Sequence, residues 1–490
     1  MYDLILRGAT VVNASGMQAA DIAITAGKIA AISLRDDEVA SAGLGQALGT
    51  DAGATAPQAF GTLGAAAAEM DVSGCLVLPG LIDAHVHLCE PGLTHKEDFA
   101  SGTRAAIAGG VTTLLDMPTD NPWTVNAQEW CDKRDLAEGH LFADVGLQLA
   151  IPRDGLSPEA LAQAAALGPA SFEIFCATGL AAFCHDTQND LLRSLRGLRD
   201  LPAMACVSPG DLSIMQLADS ANVPEGVALG DDAEFAADVT HFLAGRPPVA
   251  EATGVARAIL AAAAIQVPLH LRQVNSALGL ATVKRLKDLA DVTVEATPQA
   301  LYFTSDDYLR YGNRLKAAPP MRRAEDVAAL REAVRSGLID MLVSDHAPHT
   351  PQEKTGSGVT FGKAPMGVPG VQTMLFAALG LVASGDIDLP SLVRLCAFNP
   401  ARRFGLGGRK GVIDVGFDAD LLILDPRSTT TVRHADQLSK SAYTPFDGLQ
   451  VPWRLNKVFL RGQQVCDEQG PIGTARIGQV LSCLQGSAAG

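Results

Sequence analysis

The sequence predicts an α/β chain, a (β/α)₈ TIM-type barrel carrying a small β-sandwich built from its N- and C-terminal segments. Three observations lead there. Eight short apolar or β-branched runs alternate with helical segments between Leu76 and Pro348, which suits a closed barrel better than an open doubly wound sheet. Short alternating runs, punctuated by turn residues, stand at both ends of the chain. With 48% hydrophobic and 19% charged residues over 490 positions, the chain can bury a large core and is not disordered.

The elements follow in order. Strands are expected at Leu4–Leu6, Thr10–Val12, Asp21–Ile24 and Lys28–Ile32, with turns at Gly8, Ser15-Gly16 and Ala26-Gly27. Residues 36–70 are rich in Ala, Gly and Thr without periodicity, and read as an exposed, flexible insertion that carries no chemistry. Barrel strands are expected at Leu76–His87, Val111–Pro118, Asp144–Ala150, Ser171–Cys176, Pro202–Val207, Val267–Val274, Val292–Pro298 and Met341–Pro348. Helical periodicity lies between them, at Lys96–Ala108, Pro158–Leu167, Gly254–Ala264 and Ala324–Ser336. Strands resume at Gly411–Val415, Asp420–Leu424, Lys457–Leu460 and Gln464–Cys466. The expected division is 1–75 for the first part of the sandwich, 76–405 for the barrel, and 406–490 for the rest of the sandwich and a tail.

Charge and cysteine usage exclude several classes. Lys and Arg number 38 against 54 Asp and Glu, a net charge of −16 with no basic block. A phosphate-backbone binder needs a basic face, and an acidic surface is repelled by anionic membranes, so neither nucleic acid nor membrane is an expected partner. Nine cysteines, widely spaced and without a CxxC pair, read as reduced thiols of a cytoplasmic protein. The N-terminal segment carries Asp3 and Arg7 and no long apolar run, so no signal peptide is expected. The apolar stretch Met374–Ala383 is too short to span a bilayer.

The chemistry sits at strand ends, where barrels of this kind place it. The first run closes as Asp83-Ala84-His85-Val86-His87, and residues two apart on a strand share a face, so both imidazoles point one way. The eighth run closes as Ser344-Asp345-His346-Ala347-Pro348-His349. First and last strands are neighbours in a closed barrel, so Asp345 meets His85 and His87. Two imidazoles and a carboxylate bind a divalent metal, and Asp345 can also take the proton of a metal-activated water. His349 orients a loop or binds substrate.

Several stretches resemble the dihydroorotase branch of the amidohydrolase superfamily: Asp83–Leu88 with Glu90–Thr103, Gly109–Thr113 with Asp116-Met117-Pro118, Lys316 with Pro319–Arg322, Ser344–His349, and Gly367–Gly370. Asn399-Pro400-Ala401, Asp418–Leu421 and Thr444-Pro445-Phe446 are similar to dihydroorotases, allantoinases and hydantoinases alike. The resemblance covers nearly the whole chain apart from 36–70. It implies a metal-dependent hydrolase of cyclic amides that forms homo-oligomers, with Thr119, Asn121, Arg322, His349 and Gly367 around the substrate.

The chain departs from the family's two-metal pattern at definite places. Where the family has a carboxylated lysine on the fourth strand, this chain has Glu173; the fifth- and sixth-strand histidines correspond to Cys206 and Gln273. A Glu is shorter than a lysine carbamate, so Glu173 joins His85, His87 and Asp345 around a single ion, with Cys206 as a weaker thiolate donor. The expected cofactor is zinc, one ion rather than two. Dihydroorotases hold the substrate carboxylate with an Arg and an Asn at positions occupied here by Cys89 and Thr119, and losing such a clamp weakens binding by several kcal/mol.

The first functional reading is therefore a single-metal, dihydroorotase-like hydrolase of a cyclic amide or ureide, with an allantoinase or hydantoinase activity as a variant of it. The second is a catalytically impaired homologue kept as a structural or regulatory partner, as the family's inactive members scaffold aspartate carbamoyltransferase.

Overall fold

The computed structural model describes residues 1–35, 63–220 and 231–484. Eight parallel strands form the barrel wall: Leu81–Val86, Val111–Asp116, Asp144–Leu147 continued by Leu149–Ala150, Phe172–Phe175, Ala205–Ser208, Leu269–Leu271, Val292–Ala296 and Met341–Leu342. Neighbours pair in sequence order. The ring closes between the first and eighth, where Val86 bridges His346 and the His87 amide donates to the His346 carbonyl at 2.8 Å. Every residue of the first two strands is buried, as expected of strands covered on both faces.

Helices begin and end where local chemistry dictates. The first runs Phe99–Ala108 rather than from Lys96, because the Asp98 carboxylate accepts from the Ser101 amide and caps it. The others expected lie at Pro158–Ala166, Pro248–Ile265 and Ala324–Arg335. Pro248 stands at a first helical position, so this helix starts six residues ahead of the expected Gly254. Residues 234–265 contain a stretch long and apolar enough by composition to cross a membrane. It is divided between Asp231–Ala244 and Pro248–Ile265, and Val255, Ala258, Ile259 and Ala262 are buried in the protein core.

The second unit is a nine-stranded sheet drawn from both chain ends. Tyr2–Asn13 lies between Gly16–Thr25 and Leu76–Pro79, and Leu76–Pro79 pairs in turn with Leu421–Asp425. Leu6, Val11, Ile22, Val77, Leu421 and Phe459 share its core.

Four boundaries differ from the sequence expectation. Leu76–Pro79 belongs to the sandwich, and the barrel starts at Leu81; both segments are apolar, so burial alone cannot divide them. Gly8 is a bulge inside one continuous strand instead of a turn: its φ is +75°, and a Cβ there would meet Ser73 Oγ at 2.3 Å. Of the insertion expected at 36–70, residues 36–62 lie outside the described residues, while Ala66–Asp71 pairs in parallel with Tyr2–Arg7. Gly411–Val415 forms turns and bends instead of a strand. The tail also returns to the barrel: Val480–Leu481 pairs with Val145–Gly146, burying Leu481 and Cys483 beside Ile82 and Leu115.

Candidate metal centre and substrate cavity

His85 and His87 occupy the end of the first strand, and Asp345 follows the eighth. The closure at Val86 and His346 brings them together. His85 Nε2 and His87 Nε2 stand 3.4 and 3.5 Å from Asp345 Oδ1, and one ligand atom from each lies within 4.8 Å of the others. Donors about 2.0–2.1 Å from a tetrahedral zinc are about 3.3–3.4 Å apart. The cradle therefore has the spacing and the N₂O chemistry of ligands to a divalent ion, with His85 and Asp345 buried and His87 partly exposed.

Each imidazole is fixed from behind. His85 Nδ1 donates to Glu295 Oε1 at 2.6 Å, and His87 Nδ1 pairs with Thr119 Oγ1 at 2.7 Å. With both Nδ1 atoms engaged, the Nε2 lone pairs are left facing the common point. Burial works against a charged His85, but the Glu295 and Asp345 carboxylates outweigh it and raise its pKa above the ordinary imidazole value. Asp345 is held on its other side as well: Gln273 Nε2 donates to Oδ2 at 2.6 Å. Both residues take left-handed φ, +47° and +45°, and this departure from strand geometry is what aims Gln273 at Asp345.

The structure leaves Glu173 and Cys206 out of this cradle. Glu173 Oε1 accepts from Arg272 Nη2 at 2.7 Å and Oε2 from Arg272 Nε at 3.2 Å, with Ser171 also on Oε1. Cys206 is fully buried among Ile82, Ala84 and Met204, and burial lifts its thiol well above the usual range. Gln273, at the sixth-strand position, offers Asp345 an amide donor. The residues present thus fit an ion at His85, His87 and Asp345, while Glu173 and Gln273 are hydrogen-bonded to other side chains and Cys206 is packed away from the cradle.

A cavity of about 610 Å³ opens above the cradle. Thr119, Arg322, His349 and Gly367 line it, along with Cys89, Phe175 and Met117. Asn121 is not among its walls; its carbonyl instead packs where a Cβ on Gly92 would sit. Arg322 is committed to Asn275, the Arg246 carbonyl and Glu251. Gly367 has φ +146°, and a Cβ would come within 2.4 Å of the Ala347 carbonyl oxygen, so glycine alone suits this wall. His349 Nε2 donates to the Met366 carbonyl, and its Nδ1, 3.9 Å from Glu353 Oε2, has no hydrogen-bond partner among the described residues. Burial, with the charges of Lys96 and Lys354, pushes its pKa down to about 4, so the ring is neutral.

Glu295 and Arg272 are the functional residues that sequence reasoning passed over. Both interrupt apolar strands, in Val-Thr-Val-Glu-Ala and Leu-His-Leu-Arg. A charge inside a run that must be buried has to find an opposite charge, and that rule could have singled them out.

An ion cradle at a barrel mouth, roofed by a largely apolar cavity, stands where barrel enzymes place their chemistry and has donors of the kind used in metal-assisted hydrolysis. Residues 76–465 match the Amidohydrolase family, and the chain belongs to it, in the branch of dihydroorotases, allantoinases and hydantoinases. It is 33% identical over 483 residues to an allantoinase of Rubrobacter xylanophilus, covering 96% of this chain and 97% of that one. It is 33% identical over 392 residues to a dihydroorotase of Methanosarcina mazei, covering 78% and 81%. Among solved structures, the L-hydantoinase (dihydropyrimidinase) of Arthrobacter aurescens superposes with a TM-score of 0.86 at 27% identity, covering 98% of this chain and all of that one.

Proposed function

We propose that the protein hydrolyses a ring C–N bond of an uncharged cyclic amide or ureide, of the hydantoin or allantoin kind, using one zinc ion held by His85, His87 and Asp345. The carrying observation is the 3.4 and 3.5 Å spacing of the two Nε2 atoms about Asp345 Oδ1. A divalent ion bound there polarises the carbonyl and lowers the pKa of water. The chain's own residues do the rest. Asp345 takes a proton from the attacking water and returns it to the leaving ring nitrogen. Gln273 fixes the carboxylate for that transfer, and Glu295 and Thr119 keep the imidazoles in register. The apolar wall of Met117 and Phe175 limits water to the reacting face.

An uncharged ring is favoured over dihydroorotate by what stands at the clamp positions. Cys89 carries a thiol held well above its usual range by burial, Thr119 is bound to His87, Arg322 is already paired, and His349 is neutral. Zinc-loaded protein assayed with hydantoins, dihydropyrimidines, allantoin and dihydroorotate tests this. Faster ring opening of hydantoin or allantoin is expected, and turnover of dihydroorotate alone would reverse the assignment.

The second reading, an impaired homologue serving as a partner of an enzyme such as aspartate carbamoyltransferase, is favoured by the occupied Glu173 position. Stoichiometric zinc that disappears in His85→Ala supports the hydrolase. A stable wild-type protein without zinc and without turnover supports the partner.

A further inference from the structure

We propose that Arg272 is a resident cation that takes the place of an ion in the inner half of the barrel floor, closing that half to metal and holding His85 in position through Glu295. The inference rests on the reading of His85, His87 and Asp345 as a one-ion cradle, and it concerns what lies beside that cradle.

Arg272 follows the sixth barrel strand and is completely buried. A guanidinium has five N–H donors, and here all five are used. Nε and Nη2 grip the two oxygens of Glu173 at 3.2 and 2.7 Å. Nη1 donates to Glu295 Oε2 at 2.8 Å and to the Ala84 carbonyl at 3.0 Å. Nη2 reaches Gln148 Oε1 at 2.6 Å. Phe404 covers the guanidinium, 5.7 Å from ring centroid to Cζ. Two fully buried carboxylates thus share one fully coordinated cation.

This arrangement has two consequences. Both Glu173 oxygens already accept from the guanidinium, so an ion approaching them would meet its positive charge. Glu295, held by Arg272 and by His270 Nε2 at 2.9 Å, turns its remaining oxygen to His85 Nδ1. Arg272 is therefore a positioning residue: its guanidinium is spent on Glu173, Glu295, Gln148 and the Ala84 carbonyl, and it acts on the cradle through Glu295.

Zinc counting on purified protein, with a competition titration for affinity, tests this. Wild type and Arg272→Lys should hold one ion per chain. Arg272→Ala frees two carboxylates beside a vacated volume and should raise the count by one. Arg272→Ala with Glu173→Gln should return it to the wild-type number, with about tenfold weaker zinc affinity because Glu295 has lost its brace. Because the double variant removes one charge of each sign, it keeps the test open if Arg272→Ala does not fold. Two ions in wild type, an unchanged count in folded Arg272→Ala, or wild-type affinity in the double variant would overturn the proposal. If wild type binds no zinc, the one-ion reading fails, yet a gain from none to one in Arg272→Ala would still uphold the role of Arg272.

Discussion

Two halves of one barrel floor set carboxylates beside nitrogen bases and use them in opposite ways. On the side of the first and eighth strands, His85, His87 and Asp345 turn lone pairs toward an open cavity, with Glu295 and Thr119 bracing them from outside. On the side of the fourth to seventh strands, both oxygens of Glu173 accept from Arg272, which borders the same cavity yet is fully buried, as Glu173 is. The difference lies in where the positive charge comes from. One half is left for a cation from solution, and the other already has a covalently attached one. The proposed function therefore assigns chemistry to the first half and stability and alignment to the second.

Removing a cradle residue should give the largest effect. His85→Ala or Asp345→Ala deletes a ligand whose ion contributes several kcal/mol of transition-state stabilisation, so kcat/KM should fall by about 10³-fold or more. Bound zinc, measured by elemental analysis, should fall with it. Ring-opening activity that survives either change would erase the distinction between the two halves.

Glu173→Gln addresses the other half. Breaking a buried ion pair from one side costs about 3 kcal/mol or more, so the variant should unfold at clearly lower denaturant. Zinc content and kcat/KM should stay within a few-fold of wild type. The reverse pattern, full stability with lost zinc, would make Glu173 a ligand after all.

The contrast between the halves also explains how much was legible beforehand. The eight barrel strands stand out in the sequence because each is an apolar run bounded by turn residues. His85 and His87 are legible through their two-residue spacing, and Asp345 because a barrel must bring its last strand to its first. The partner of Arg272 is not, since Glu173 is 99 positions away and no local period reports which carboxylate a buried cation will choose. Gln273 and Asp345 escape the alternation rule because left-handed φ values take both off the strand path. Leu76–Pro79 and Leu81–Val86 read as one run because apolar character is common to sandwich and barrel alike. Ala66–Asp71 has no strand-like composition, and it is a strand because Tyr2–Arg7 offers it an edge.

A smaller effect is expected at Thr119, whose hydroxyl braces His87. Outer partners of metal-binding histidines typically tune affinity by about tenfold or more, so Thr119→Val should weaken zinc binding by about that factor. At saturating zinc, kcat should change little. If instead KM alone rises while zinc affinity holds, Thr119 serves the substrate, and the brace belongs to His85 only.

An effect on stability alone, apart from zinc and turnover, extends the comparison to a third buried cation. Lys354 is as fully buried as Arg272, but among the described residues its Nζ donates only to the carbonyls of Lys316 and Pro365, at 3.0 and 2.8 Å, with no carboxylate hydrogen-bonded to it. The neighbouring Cys206, Glu173 and Glu295 outweigh the effect of burial for Arg272 and raise its pKa. For Lys354, burial and the nearby Lys316 charge win and pull the pKa down to about 7. An unfolded chain keeps that proton to about pH 10.4. Below about pH 7 both states are charged and the full penalty of burying the ammonium is present. Between about pH 7 and 10 the unfolded state binds more protons, so the Lys354 contribution to stability rises with pH. Thermal midpoints of wild type and Lys354→Met, compared at about pH 6.5, 8 and 9.5, should show wild type gaining on the variant as pH rises. A difference that stays level would mean that carbonyl oxygens alone neutralise a buried ammonium as well as Glu173 and Glu295 do for Arg272, and the two cations would then differ in geometry but not in charge.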